Sequence, residues 1–387
     1  MSVGEIMKIA IFTDSFLPSI GGTEYAVSRL ATALSKEHEV MVFAPNGHRE
    51  FDDNAFDFKI ARAKSIAVTK NDFWAHPNFS GKMKKTLNEF KPDVVHSHTI
   101  GMMAAFANKY AKRHGIPSIC TIHTKFRYCY NDALKVKLFS EILLRYVMRR
   151  PKKADRVCTV SNSMISELKT YGLKRNDVLV IKNGNDQKAK SEFDKTTNDV
   201  FRLLFVGRII DYKNIQFSLD CLKELKKIRS DFEFLLVGRG PHVKRFIKYA
   251  KKLGLEENVK FLGAITDSTE LKKVYASSDL FFFTSIFDND GLVVMEAAGE
   301  GTPSLVLSGT GASERITDEE TGFLVDIDKK AVADKINYLM ENRELLSKVG
   351  AKASTIFTSW QDAADAYLRI YKEEIEKKKE SIGKKKR

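Results

Sequence analysis

Between Thr284 and Pro303 the chain carries two carboxylates, Asp288 and Glu296, on either side of a Gly291-Leu292-Val293 turn. The apolar run Leu280-Phe281-Phe282-Phe283 ahead of them reads as a buried strand, and Val293 to Ala298 reads as the first turns of a helix. That order sets one acid at a strand end and the second inside the following helix. The backbone N–H groups of Gly291, Leu292 and Val293 then face a helix N-terminus, where partial positive charge favours a phosphate. Carboxylates beside such a terminus accept hydrogen bonds from hydroxyls. The expected occupant is a polyhydroxylated anion.

Two cations suit the same ligand. Arg208 and Lys213 follow the strand that ends at Val206, across a Gly207 turn, where two fixed cations suit a phosphorylated ligand. His123 follows the buried-strand candidate Ser118 to Ile122, where an imidazole donates to a sugar or a phosphate, or simply caps a strand. In His96-Ser97-His98 the H-x-H spacing fits metal, acceptor contacts or neither, and only His98 is expected to reach a cleft. Gly21 and Gly22, after the first strand, leave room for close approach by substrate. Gly238-Arg239-Gly240-Pro241 is another strand-end turn, with Arg239 as an added charge near a nucleotide; its lone G-x-G lacks the helix and acidic partner of a dinucleotide fingerprint. Asp288-Asn289-Asp290 spells the D-x-D of some metal sites. Its place just ahead of the Gly-Leu-Val turn argues against that use, and no metal or other cofactor is expected.

The elements that must hold these residues alternate. Strand candidates in the first half are Ile9 to Thr13, Val40 to Ala44, Val94 to His96, Ser118 to Ile122, Arg156 to Val160 and Val178 to Ile181. The second half begins again with Arg202 to Val206, Phe232 to Val237, Val259 to Leu262, Leu280 to Phe283 and Pro303 to Leu307. Short buried strands between helical patterns mean parallel sheets covered by helices, an α/β class. With 387 residues two domains are the natural division. The polar segment Asn185 to Asn198 reads as the linker, so the expected domains are 1–186, joined by a returning helix at 360–387, and 187–359. Ligands of doubly wound sheets bind beyond the carboxyl ends of the strands, so a cleft between two facing domains is the expected site.

Composition narrows the partners. Apolar content of 43% and charged content of 29% describe a folded chain, and no stretch is apolar enough to span a bilayer. The start, Met1 to Glu5, lacks the regions of a secretory signal, so the expected location is the cytoplasm. Cys120, Cys129, Cys158 and Cys221 have no C-x-x-C spacing and read as reduced, buried thiols. A formal charge of +14 attracts anions. Zinc-finger spacing, an RNP signature and a helix-turn-helix are all lacking, so nucleic acid is not the expected partner. Basic and apolar residues mix from Ala133-Leu134-Lys135 through Phe139 to Arg149-Arg150, and in Phe73-Trp74 ahead of Lys82, Lys84 and Lys85. Such a surface suits either an anionic membrane or a core-facing helix with a solvated basic side. Trp360 to Lys379 reads as a helix striped by Ala363, Ala364, Tyr367, Leu368, Ile370 and Tyr371, followed by a frayed basic end through Lys384-Lys385-Lys386-Arg387.

In this order, Gly21-Gly22, His123, Asn183-Gly184, Gly207-Arg208 with Lys213-Asn214, Gly238-x-Gly240-Pro241 and Asp288-x7-Glu296 resemble the retaining family-4 glycosyltransferases over nearly the whole chain. The resemblance implies a GT-B fold of two facing Rossmann-like domains, the C-terminal helix crossing back onto the first. It implies an N-terminal acceptor-binding domain, a C-terminal nucleotide-sugar domain and transfer of a hexose with retention, usually without a metal. Glu296 matches the family residue that holds the ribose hydroxyls, Asp288 the one near the donor sugar, and His123 the histidine that reaches that sugar and its phosphate. The family's usual Glu-x7-Glu stands here as Asp288-x7-Glu296, and its Pro-Phe as Asn289-Asp290. Three functions stay open: transfer from a donor like UDP-glucose to a membrane lipid such as diacylglycerol or a lipid-linked glycan, the same chemistry on a soluble or polysaccharide acceptor, and non-enzymatic binding of a nucleotide-sugar or nucleic acid.

Overall fold

A computed structural model describes residues 5–19, 21–46, 51–67, 73–134, 136–186 and 200–385. Most of the expected linker, 187–198, and the terminal Lys386-Arg387 lie outside the described residues, as do the side chains of Phe73, Trp74, Cys129, Ala133, Leu134 and Lys135. The chain divides into two compact units, Met1–Gly184 with Ser359–Arg387, and Asn185–Thr358.

The first unit holds a seven-stranded parallel sheet in the spatial order Lys59–Ala63, Glu39–Pro45, Lys8–Phe12, Val94–Ser97, Ser118–Ile122, Arg156–Thr159 and Leu179–Val180. Alternation along the strands feeds two layers. Ile9 and Ile11 pack with helix Gly22–Ser35 and with Trp360, Ala364, Tyr367 and Tyr371 of the terminal helix. Ala10 and Phe12 pack on the other face with Met103, Ala107 and Ala111 of helix Met102–His114. The edge strand Lys59–Ala63 and a short antiparallel pair, Ser65–Ala67 with Phe73–Ala75, carry weaker patterns than the central strands and add to those expected.

The terminal helix runs Trp360–Lys385, so the lysines expected to fray are helical as far as the described chain goes. Arg156 clamps it through Glu374, Nε and Nη2 donating to Oε1 at 3.1 and 2.6 Å, and Lys378 reaches Asp155 at 2.7 Å.

The second unit has six parallel strands in the order Val259–Gly263, Phe232–Val237, Phe201–Val206, Leu280–Phe283, Ser304–Leu307 and Phe323–Val325. Leu280–Phe283 is buried along its whole length, as a strand covered on both faces must be. In both units the first strand lies between the second strand and a later one. That arrangement creates a topological switch point at the carboxyl ends, flanked by Phe201–Val206 and Leu280–Phe283 in this unit.

Candidate active site

The loops and helix that follow the switch-point strands of the second unit carry Arg208, Lys213, Asp288, Gly291 and Glu296. The loop after Phe201–Val206 makes a short 3-10 turn, Asp211–Lys213, and Asn214 turns left-handed (φ 59°) into helix Ile215–Lys226. Asn214 Nδ2 donates to the Thr284 carbonyl at 3.2 Å, and Ser218 Oγ and Thr284 Oγ1 lie 2.7 Å apart. These bonds fix one loop to the end of the neighbouring strand. Lys213 Nζ consequently reaches both oxygens of Asp288, at 2.6 and 2.8 Å, and lies 5.4 Å from the centre of the Phe283 ring. Two of the ammonium's three protons are used there, leaving one donor for a ligand. Arg208 is exposed and its side chain has no hydrogen bond or ion pair among the described residues; the same holds for Arg239.

Gly291 is buried at φ 63° as the N-cap of helix Leu292–Gly299, and no side chain caps that end. A Cβ at Gly291 would press on Ala312 at 3.0 Å, so glycine is needed for both conformation and space. The N–H groups of Leu292 and Val293 have no acceptor among the described residues, as first-turn donors of an uncapped helix. One turn further, Glu296 Oε2 accepts from the buried Tyr275 hydroxyl at 2.9 Å. Burial raises the pKa of Glu296, and the tyrosine's hydrogen bond works against that rise.

The two acids of Asp288-Asn289-Asp290 part company. Asp290 and Arg315 form an almost fully buried pair, Nη2 donating to Oδ1 at 2.5 Å and Nε to the Asp290 carbonyl at 2.7 Å. Asp288 and Asp290 are thus engaged by different cations, Lys213 and Arg315. Neither Arg315 nor Tyr275 was singled out from sequence. Their partners lie 25 and 21 residues away, and nothing local marks those pairings.

Gly238 packs beneath this loop. At φ 145° it takes a backbone conformation suited to glycine, and a Cβ there would collide with the Gly207 carbonyl oxygen. A Cβ at Gly240 would likewise collide with the Ile209 carbonyl oxygen. Gly207 N donates to Val237 O at 2.9 Å and Ile209 N to Arg239 O at 2.8 Å, so the Gly-x-Gly lets two strand-end loops run side by side.

In the first unit, His98 and His123 lie together, His98 Nδ1 2.9 Å from His123 Nε2. His98 is 1% exposed, and its Nε2 is buried without a partner. His96 belongs to the packing of the terminal helix, with Nδ1 2.6 Å from the Tyr371 hydroxyl and Nε2 2.8 Å from Thr121 Oγ1. Burial holds all three imidazoles below the usual histidine range, His123 at about 4. Gly21 is the uncapped, extended start of helix Gly22–Ser35, and a Cβ on Gly22 would meet nothing within 4 Å. Asp14 was not foreseen. Its Oδ2 accepts from Gly101 N at 2.8 Å and its Oδ1 from Met103 N at 2.9 Å, so it caps helix Met102–His114 from the neighbouring strand end. Among the described residues no helix is long and apolar enough to cross a membrane, and Cys120, Cys158 and Cys221 are buried free thiols.

Two family models match, glycosyltransferase family 4 over residues 20–188 and glycosyl transferases group 1 over residues 185–355. The chain belongs to the family-4 glycosyltransferases. It is 25% identical over 336 residues to the alpha-monoglucosyldiacylglycerol synthase of Streptococcus pneumoniae, covering 82% of this chain and 75% of that protein. It is 26% identical over 344 residues to the GDP-mannose-dependent alpha-mannosyltransferase of Corynebacterium glutamicum, covering 84% and 78%. The solved structure of Anabaena Alr3699/HepE in complex with UDP matches with a TM-score of 0.73 at 20% identity over 95% of this chain and 100% of that one. The fold is GT-B.

Proposed function

We propose that this glycosyltransferase moves a hexose from a nucleotide-sugar, of the UDP-glucose kind, to a hydroxyl of a membrane lipid, with retention at the anomeric carbon. The observation that carries the donor half is the Lys213–Asp288 pair at the switch point, beside an uncapped helix end whose Leu292 and Val293 N–H groups await an acceptor. Arg208, the remaining Lys213 donor and that helix end neutralise the diphosphate as the sugar bond breaks. Glu296, steadied through one oxygen by Tyr275, offers the other to ribose hydroxyls. Asp288 orients Lys213 and faces the donor sugar, and Gly238 and Arg239 form the floor beneath the nucleotide. In the first unit Gly21 and Gly22 admit substrate and His123 donates to the sugar or its phosphate, with His98 behind it.

The leaving phosphate oxygen takes the proton of the incoming hydroxyl, so the nucleophile attacks from the face the diphosphate leaves. No metal is used: the charge it would neutralise falls to Arg208 and Lys213. The lipid acceptor is supported by the Streptococcus relative named for a glucosyldiacylglycerol.

The test is a panel of nucleotide-hexoses scored for thermal stabilisation and then for transfer to diacylglycerol in mixed micelles. One donor is expected to raise the melting temperature and give an α-linked product in the presence of a chelator. A β-linked product from an α-linked donor overturns retention, loss of activity on chelation overturns metal independence, and transfer only to water-soluble glycans overturns the lipid acceptor.

A further inference from the structure

Helix Lys137–Val147 is built the wrong way round for a helix facing water. The side it buries offers Ser140, Leu144 and Val147, whereas Leu138, Phe139, Ile142 and Tyr146 stand 68%, 62%, 56% and 54% exposed. At the helical repeat those four positions fall within an arc of about 100°, a continuous apolar stripe on the outer side. The stripe continues past the helix. Val136 is 46% exposed at its start, Arg149 and Arg150 each lie 5.6 Å from the Tyr146 ring centre, and Arg150 Nη2 sits 3.9 Å from Sδ of the exposed Met102. Met102 opens the helix against which the turn Pro77–Phe79 packs, and Phe79 is 77% exposed.

The charges around this stripe have one sign. Lys137, Arg145 and Arg149 are exposed beside it, while Glu141, the sole acid of the helix, is engaged by Arg127 Nε at 2.6 Å. An apolar band alone would suit a second copy of the chain. A two-fold contact between copies would bring this cationic ring against itself, which disfavours self-association. An anionic lipid surface satisfies both halves, apolar side chains in the acyl boundary and cations among phosphates.

We infer that this face docks the protein on an anionic bilayer, with Leu138, Phe139, Ile142 and Tyr146 entering the interface and Lys137, Arg145 and Arg149 meeting lipid headgroups. The docking deepens the lipid-acceptor reading by naming the surface that brings the enzyme to its acceptor, and it requires neither donor nor turnover.

Flotation of the full chain with phosphatidylcholine vesicles, with and without phosphatidylglycerol, tests it. Wild type is expected to float with the anionic vesicles alone. Leu138→Ser/Phe139→Ser/Ile142→Ser should weaken that binding at least about tenfold, and Arg145→Glu/Arg149→Glu should remove the preference for anionic lipid. Ile247→Ser, at an exposed isoleucine of the other unit, serves as the control and should bind as wild type does. Tryptophan emission of Phe139→Trp should shift to the blue on anionic vesicles. The inference is overturned by wild type remaining in the aqueous layer, by the triple serine variant binding undiminished, or by a patch-dependent dimer in sedimentation velocity without lipid. Donor-induced thermal stabilisation measured on the same variants should be unchanged, so failed docking with intact donor binding strikes the membrane surface alone.

Discussion

His98 Nδ1 lies 2.9 Å from His123 Nε2, with the two rings stacked at 19°. The burial of His98 and the bare Nε2 beyond it assign the proton. A buried N–H without an acceptor is costlier than a bare lone pair, so His98 keeps its proton on Nδ1 and donates it to His123. His123 is then protonated on Nδ1, the tautomer that the proposed donation to substrate requires. Nitrogen-detected NMR of the free enzyme should show His123 with its proton on Nδ1. His98→Phe should mix the tautomers and lower kcat about tenfold with little change in donor KM. An unchanged tautomer and kcat in that variant would show His98 to be packing only.

The same imidazoles set a pH dependence. His123 has its folded pKa lowered to about 4, and His96 and His98 are lowered well below 6.5, all by burial first. As pH falls below the unfolded value of about 6.5, the unfolded chain takes up protons that the folded chain refuses, and stability drops until pH passes the folded values. Urea midpoints should be flat from about pH 8 to 7 and fall between about pH 6 and 4. His98→Asn with His123→Asn should flatten that decline, and an equally steep decline would assign it to other groups.

Arg208 and Lys213 should separate in their side effects. Arg208 is exposed and makes no side-chain bond among the described residues, so Arg208→Met should lower kcat about 10²–10³-fold with an unchanged melting temperature. Lys213→Met should lose similar activity and also some stability, because it leaves the half-buried Asp288 without its cation. Stopped assays and calorimetry on both variants check this; normal turnover in either removes that residue from the chemistry.

What the sequence made legible and what it hid follow the range of each interaction. Leu280–Phe283 announces itself because a strand buried on both faces has an unbroken apolar run, and Ser118–Ile122, buried throughout, departs from that pattern only at Ser118 and Thr121. Glycines 207, 238 and 291 mark positive-φ turns that the structure also contains. The edge strand Lys59–Ala63 was missed because its pattern, one exposed, three intermediate and one buried residue, is neither continuous nor alternating. His96 and His98, two apart on one strand line, share a sheet face, and Tyr367 and Tyr371, four apart, share a helix face. Only the return of the terminal helix shows that these four meet. Asp14, Tyr275 and Arg315 lay beyond reach for the same reason: each acts on a partner brought near by folding.

The Asp290–Arg315 pair holds the turn that presents Gly291. Its side chains are 6% and 1% exposed, so removing one partner strands a charge in a nearly dry site. Arg315→Met should cost about 3–5 kcal/mol in urea unfolding. Asp290→Asn with Arg315→Gln, which removes both charges, should recover part of that loss. If the double variant is less stable than Arg315→Met, the bonds to the Asp290 backbone outweigh the charge pairing.

Two glycines separate conformational need from substrate approach. Gly238→Ala forces a Cβ into the Gly207 carbonyl at a φ of 145°, so the two strand-end loops must move apart, and a loss of about 3 kcal/mol or more is expected. Gly22→Ala meets no atom within 4 Å and sits in the first turn of helix Gly22–Ser35, where alanine is the better helix former. It should therefore gain up to about 1 kcal/mol of stability. Its turnover should nonetheless fall about tenfold, because the added methyl occupies space that substrate needs at the strand end. Thermal melts and initial rates on this one variant divide the two effects. A Gly22→Ala enzyme that is both more stable and fully active would mean that the glycine pair shapes the loop and leaves the substrate untouched.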